Sequence, residues 1–576
     1  MKGILFSLVL LILSGAAFAD EYMDSQSKVV YTYEPGSGTA MVKSGFDEVI
    51  DDGNELEIVY HPGSPGAFGD VKILDRFTVG NEEYVVKSIG EWAFEENKHI
   101  KSVSIPETVA KIGDMAFVSC DSLISVQLPE GLTVIANSLF SNCHSLTSVG
   151  IPATVRRIEK YAFSGCSSLS NITIPEGLVF AGIGAFYGTP WYASMYDQAP
   201  VGPFYIGPLL LGYKGDKPTG ELVIREGTTC IGFEAFNKCD GLTSIIVPPS
   251  VTYVEYEAFY SCTGLNAVHI SDLAAWCRIG FQEERNSSSN PLFYAHHLYL
   301  NGEEVTDLFI PEGTTSIGNY AFDNCTGLTS VTFSDGVTSI GKNTFRSCSN
   351  LSSVTIPSSI AAIGANAFLW CRNLKAVHIS DLAAWCGISF YGTANPLYYG
   401  AHLYLNEREV TSLTIPEGIT SIGDGAFICF GSLTSVKIPN SVTSIGKKTF
   451  YRCRGVTSVT IGSMVKTIGE SAFFDCDSLS DIYCYAENVP ETGDDVFGYN
   501  ISENITLHVP AASIEAYRTT SPWKDFKYIV PIEETTDINA LKAETPSSPL
   551  FDLQGRRLNT EPRHGVYIKN GKKVVK

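Results

Sequence analysis

The sequence predicts an α/β repeat solenoid: an arc of 23-residue coils with a parallel β-sheet on the concave face, short helical or 3₁₀ arcs outside and three longer insert coils. Three observations predict it. Phe94, Phe117, Phe140, Phe163 and Phe186 stand 23 residues apart, and the same Phe returns at 236, 259, 322, 345, 368, 427, 450 and 473. Each Phe is preceded by one short strand-like stretch, such as Leu123-x-x-Val126-x-Leu128-Pro129. A Gly follows the second Ile of many coils, as at Gly113, Gly232, Gly318, Gly341, Gly364, Gly423, Gly446 and Gly469. A fixed period of this length marks a unit too small to bury its own apolar face, stacked on copies of itself until a continuous core forms.

The chain opens with an export signal over residues 1–19: Lys2, an apolar run from Ile4 to Leu13, and Ala17-Phe18-Ala19 before Asp20. Residues 20–86 contain strand-like pieces, Val29 to Tyr33, Leu56 to Tyr60 and Val71 to Val79, with Asn81 turning into Tyr84-Val85-Val86. They predict an N-terminal β cap that shields the first coil's apolar edge.

The solenoid is expected over residues 87–484. In each coil the last two apolar positions of the Leu-x-x-Val-x-Ile stretch are two apart, the period of a strand, and Pro ends the strand because it has no N–H for a ladder. Ile112, Ala116 and Phe117, at offsets of four and five, fit one helical turn or a 3₁₀ arc packing inward. The recurrent Gly supplies a tight bend or lets a neighbouring coil approach closely. Leu-Thr-Ser-Val-x-Ile-Pro followed by Val-Thr-Ser-Ile-Gly-x-x-Ala-Phe-x-x-Cys resembles the BspA-like leucine-rich repeat family of bacterial surface proteins, over roughly residues 85–485. The resemblance implies a non-catalytic protein at the cell surface, adhering to host matrix proteins or to other bacteria.

Three segments interrupt the period. The first, about 188–230, carries Gly188-Thr189-Pro190-Trp191-Tyr192 and Leu211-Gly212-Tyr213, a hairpin expected to lean on the solenoid. The other two, about 271–304 and 380–409, copy each other: Ser271-Asp272-Leu273-Ala274-Ala275-Trp276-Cys277 returns as Ser380 to Cys386, and Asn290-Pro291-Leu292 as Asn395-Pro396-Leu397. Ser or Asp before the apolar run is an N-cap signature, and Asn301-Gly302 a hairpin turn, so each is expected to be a helix plus hairpin with Trp276 or Trp385 in its core. Residues 485–532, with Trp523 and Phe526, read as a C-terminal cap, and 533–548 as a polar linker. The segment 549–576 places Asn570-Gly571 between alternating strands with a basic end. It is similar to the C-terminal sorting segments by which certain anaerobic Gram-negative bacteria pass proteins to the cell surface; a structural tail is the alternative.

Sixty-two acidic against 40 basic residues give a formal charge of −22, which repels phosphate backbones and anionic lipid, so no nucleic acid is expected as partner. No stretch beyond the signal holds the ~18 apolar residues a membrane helix requires, so no integral membrane segment is expected. Ten of the 15 cysteines occupy one repeat position, three after the Phe, and position explains them better than pairing. His269 with His296 and His297, or His378 with His402, lack Cys-x-x-Cys or His-Glu-x-x-His spacing, so no metal or cofactor is expected. There is no Gly-x-Ser-x-Gly elbow and no phosphate-cradling loop, so no catalytic site is expected.

Two surfaces are candidates for ligand binding. Trp191, Tyr192 and Tyr213 of the first insert offer aromatic area for a sugar or a protein partner, against the plainer reading that they pack the insert down. The outward strand positions, among them Ser330 and Thr332, Ser353 and Thr355, Ser458 and Thr460, make a hydroxyl-rich, largely uncharged face suited to an extended extracellular protein or glycan. The reading is therefore a secreted or surface-held monomeric adhesin, with a surface glycan-capture module or a passive spacer as alternatives.

Overall fold

The computed structural model describes residues 20–35, 37–43, 66–282, 289–391, 393–498 and 505–532 in full, together with the strands Phe46–Asp51, Leu56–His61, Leu550–Phe551, Arg557–Leu558, Val566–Lys569 and Lys572–Val575. The expected signal at 1–19 and linker at 533–548 lie outside these residues. The chain divides into two compact units, 1–410 with 425–431, and 411–424 with 432–576.

In the first unit regular coils join one another along three hydrogen-bonded tracks. The first is a long ladder of parallel strands such as Ile100–Ser104, Ser125–Gln127 and Ser148–Gly150, in which Val103, Val126 and Val149 are direct partners. A 23-residue offset brings each buried Val onto the same Val of the next coil. The second is a short ladder of two-residue strands, for example Val134–Ile135 beside Arg157–Ile158. The third runs through the return arc, where the Phe117 N–H donates to the Leu139 carbonyl (3.0 Å) and the Phe140 N–H to that of Ala162 (2.8 Å).

The arcs expected to be helical or 3₁₀ are closed by i→i+3 bonds, Val118 N to Met115 O (3.1 Å) and Cys120 N to Phe117 O (3.3 Å). They do not propagate as helix, because left-handed residues at Met115 and Ser119 (φ 56° each) break the run and free the Phe N–H for the neighbouring coil. The Phe rings stack through the core in parallel: Phe94 on Phe117 at 4.9 Å, Phe117 on Phe140 at 5.6 Å, and Phe322 on Phe345 at 5.3 Å. The recurrent Gly serves close approach: a Cβ on Gly113 would lie 2.5 Å from the Glu91 N of the preceding coil, and one on Gly364 2.5 Å from the Lys342 N.

The N-terminal strands continue into these ladders. Gly69–Lys72 heads the long ladder beside Ile100–Ser104, and Glu82–Ile89 pairs with Lys111–Ile112 at the head of the short one. Tyr31, Phe77 and Tyr84 pack together behind them.

All 15 cysteines are free thiols. The ladder thiols have a structural task. Cys120 Sγ donates to Phe94 O (3.1 Å), Cys143 Sγ to Phe117 O (3.1 Å) and Cys166 Sγ to Phe140 O (3.0 Å), so one Phe carbonyl takes a thiol from the next coil as well as a backbone N–H from its own. Burial pushes the Cys120 and Cys166 thiols up to about 12 and that of Cys143 well above its ordinary value.

The first insert is a helix, Pro190–Gln198, capped by the Thr189 hydroxyl on the Tyr192 N–H (3.1 Å), followed by the antiparallel hairpin Gly202–Ile206 and Leu209–Lys214. Leu209 and Leu210 pair with Cys230 and Ile231, so the hairpin supplies a short-ladder strand. Sequence alone showed the hairpin but not the helix. In the twin inserts Asp272 caps Leu273–Cys277 through the Ala275 N–H (2.9 Å), and Asp381 caps Leu382–Cys386 through those of Ala383 and Ala384 (2.7 and 3.0 Å). Asn301 (φ 52°) and Gly302 (φ 89°) turn the hairpin between Leu298–Leu300 and Glu303–Glu304.

Both ladders stop at each twin insert, and the missing backbone donors are replaced by side chains. In a regular coil the carbonyl before each ladder Phe accepts from the Phe N–H of the coil before it. Here Ala321 O accepts instead from Trp276 Nε1 (2.9 Å) and Asn290 Nδ2 (3.1 Å), and Ala426 O from Trp385 Nε1 (2.9 Å) and Asn395 Nδ2 (2.9 Å). Trp276 and Trp385 are buried as expected, and this is their reason for being Trp.

The second unit repeats the plan, its long ladder running Ser412–Thr414, Ser435–Lys437, Ser458–Ile461, Asp481–Cys484, Thr506–Val509 and Tyr528–Pro531. Phe450, Phe473 and Phe497 stack at 5.3 and 5.9 Å, the last of them one residue out of period and therefore missed in the sequence. Trp523 ends the stack edge-on against Phe497 (5.2 Å) with its indole N–H on Pro490 O (3.1 Å). The tail forms four antiparallel strands, with Val566–Lys569 paired to Lys572–Val575.

Candidate functional site

The long ladder builds the hydroxyl face from its register. Strand alternation buries the middle Val and turns its neighbours outward, so two outward rows run across the strands. One row passes through Asp307, Ser330, Ser353, Ala376 and His402, the other through Phe309, Thr332, Thr355, His378 and Tyr404. Ser330 Oγ donates to Asp307 Oδ1 at 2.5 Å, which ties that hydroxyl along the row. In the second unit Ser458 and Thr460 lie between Ser435 and Lys437 on one side and Asp481 and Tyr483 on the other.

Neither tracing the repeat nor counting hydroxyls finds what interrupts these rows. His269 stacks on Tyr299 (4.8 Å), His378 on Tyr404 (4.9 Å) and Tyr483 on His508 (4.2 Å), each pair in direct ladder register. The imidazoles thus lie on phenols, with His378 also 3.3 Å from Glu407 and His508 3.1 Å from Asp481, and are not grouped with His296, His297 or His402. His297 and His402 pair separately with Glu304 (2.6 Å) and Glu409 (2.5 Å). The signal was present in the twin motifs Val-His-Ile and Leu-Tyr-Leu, whose central residues share a strand face. Among the described residues no group of three or more His, Cys, Asp or Glu could hold a metal ion. Phe309, 58 % exposed, lies in the same row at the first strand of its sheet.

The first insert places its aromatics against the solenoid and against its own hairpin. Trp191 meets Phe186 edge-on at 5.0 Å, Tyr192 meets Phe204 at 5.5 Å and Tyr213 lies 6.4 Å from Phe236, each half-buried. Tyr192 also lines a cavity of about 140 Å³ with Phe186, Tyr187, Leu211 and Phe233. Burial pushes its phenol above the ordinary range.

Two buried carboxyls lie outside these surfaces. Asp323 is held by Arg346, yet burial raises its carboxyl to about 6. Glu255 is 1 % exposed and neither of its carboxylate oxygens has a hydrogen-bond partner; burial raises it to about 7, offset in part by Lys160 and Arg157. Among the described residues no helix is long and apolar enough to cross a membrane.

Among curated proteins none matches the chain. Among solved structures, a leucine-rich repeat protein from Bacteroides ovatus is 22 % identical, with 89 % of this chain and 100 % of that one covered at a TM-score of 0.28. A leucine rich cell surface protein from Faecalibacterium prausnitzii is 20 % identical (81 and 95 % covered, TM-score 0.24), and the pneumococcal vaccine antigen PcpA 14 % identical (90 and 100 %, TM-score 0.24). The profile of the BspA type leucine rich repeat region matches in six copies over residues 86–196, 213–282, 295–395 and 399–518, more than half of the chain. With the coil, its three hydrogen-bonded tracks and this match in agreement, the chain belongs to the BspA-type leucine-rich repeat family.

Proposed function

We propose that this protein is an exported, surface-held adhesin that binds extracellular proteins, of the host matrix or of other bacteria, through the outward rows of its long ladder. The observation that carries the reading is the pair of rows through Ser330, Thr332, Ser353 and Thr355, repeated at Ser458 and Thr460: small hydroxyls in fixed register, with a stacked ring pair inside each stretch. Such a face gives many weak, evenly spaced contacts to an extended partner and no deep pocket for a small substrate. Family membership supports a binding role, and the Faecalibacterium relative is described as a cell surface protein. The C-terminal sorting-like segment is the proposed route to the surface.

The test is binding of residues 20–548 to parallel arrays of extracellular-matrix proteins and polysaccharides. Matrix binding that falls by about tenfold or more in a Thr332→Lys, Thr355→Lys double variant supports the ladder face. A second reading, glycan capture by the first insert, is favoured by the placement of Tyr192 on the 140 Å³ cavity. Glycan binding abolished by Trp191→Ala or Tyr192→Ala, or by loss of Tyr213, would move the function there. Silence on both arrays would leave a passive spacer.

A further inference from the structure

Two residues after each of the thirteen Phe residues in period, the coil passes through a left-handed backbone position. In twelve of these coils the residue is Gly, Asn, Asp, Ser, Cys, Lys, Arg or Glu; in one it is Trp370, at φ 65°. A bulky side chain at positive φ is an outlier, since its Cβ crowds the following carbonyl. Burial does not offset the strain, because the indole is 49 % exposed. The strained turn is held from outside: the Trp370 N–H donates to the Tyr399 Oη of the third insert at 2.9 Å. Tyr398 meets Tyr399 edge-on at 5.3 Å, and Arg372, exposed, turns back on the same loop with its backbone N–H on the Trp370 carbonyl (2.9 Å).

The molecule contains its own control. In the twin insert Tyr294 takes the place of Tyr399 and its phenol likewise meets the backbone of Ser261, the residue in Trp370's position. The fold is therefore satisfied by Ser, and the indole is not required to close the turn. Strain kept where stability does not call for it points to a ligand.

We infer that Trp370, with Tyr399 and Arg372, forms a subsite for one pyranose ring of a glycan. The indole face stacks on the C–H face of the sugar; the Arg372 N–H groups and the Tyr399 O–H, whose oxygen already accepts from Trp370, donate to ring hydroxyls. One indole, one phenol and one guanidinium fall far short of the ~800 Å² per partner that a protein interface needs and match the area of a single sugar ring. The subsite lies on the return-arc track, separate from the long ladder, and stands whether or not that ladder binds protein.

The experiment titrates the full chain with lactose, sialyllactose, mannohexaose and cellohexaose, read by tryptophan fluorescence and calorimetry. At least one sugar is expected to give a saturable signal. Trp370→Ser, which copies the twin coil, is expected to weaken that sugar by about tenfold or more with an unchanged melting temperature, and Tyr399→Phe by less. No saturable signal with any of the four up to about 10 mM, or equal binding by Trp370→Ser, would overturn the proposal.

Discussion

The coils at Phe117 and Phe140 and the spliced coil at Trp276 meet the same demand by different means. In the regular coil the carbonyl before each ladder Phe is answered by a backbone N–H, such as Phe117 N on Leu139 O, and side chains such as the Cys143 thiol add only supplementary bonds while the rest fill volume. At the splice the facing backbone N–H is gone, and Trp276 Nε1 and Asn290 Nδ2 answer Ala321 O instead. Hydrogen bonding in a regular coil is thus tolerant of sequence, whereas at a splice it depends on two side chains. Volume and polarity are separate requirements, and the two kinds of coil load them onto different residues.

The sharpest way to break the comparison is to attack volume in a regular coil. Phe345→Ala removes a ring stacked at 5.3 Å on Phe322 and 5.4 Å on Phe368, and is expected to cost about 3–5 kcal/mol, read as a drop in the denaturant midpoint. Stability in a stack of coils is nearest-neighbour in kind, so hydrogen exchange should rise in the flanking coils first. Uniform exchange across all the coils would contradict that locality.

The next effect concerns a buried charge. Because burial raises Glu255 from 4.5 to about 7, the unfolded chain releases this proton near pH 4.5 and the folded chain only near 7. Between those values the folded state binds the extra proton, so its stability falls as pH rises, by roughly 3 kcal/mol in all, and stays lower above 7. Glu255→Gln is expected to stabilise the protein at pH 8 by an amount of that order and to do little at pH 4; an equal gain at both would sink the account.

Polarity at the splice comes third. Trp385→Phe keeps most of the volume but removes the indole N–H from Ala426 O, leaving Asn395 Nδ2 as its remaining side-chain donor, and is expected to cost about 1–3 kcal/mol. If Trp385→Phe were silent while Asn395→Ala was not, the amide would be the true substitute. The smallest effect belongs to the thiols: Cys143→Ala removes one weak donor from Phe117 O, which keeps the Cys120 N–H, and should cost on the order of 1 kcal/mol by thermal melting.

What was legible in the sequence follows the same division. Volume repeats, so the Phe stack, the buried Val of each strand and the Cys position could be read from spacing alone. The short ladder could not: a two-residue strand such as Arg157–Ile158 has no alternation to show, and its Ile sits four residues before Ala162, which mimics a helical turn. The splice donors act on carbonyls 45 and 31 residues away in the chain, a relation with no local trace. Of the candidate surfaces, the outward rows at Ser330, Thr332, Ser353 and Thr355 follow from strand alternation. The His–Tyr pairs and Trp370 required the fold, because their meaning lies in which coil stands beside which.

Trp276 and Trp385 stand 109 residues apart, and each sews its own coil to the next with donors carried on the same segment. A stretch of chain from one splice to the following one therefore holds both a run of coils and the means of attaching it. Copying such a stretch whole would lengthen the molecule without any change to the coils on either side. Reach, in a protein built this way, is set by how many such stretches are strung together, and can grow or shrink in steps of one stretch while the coil stays the same.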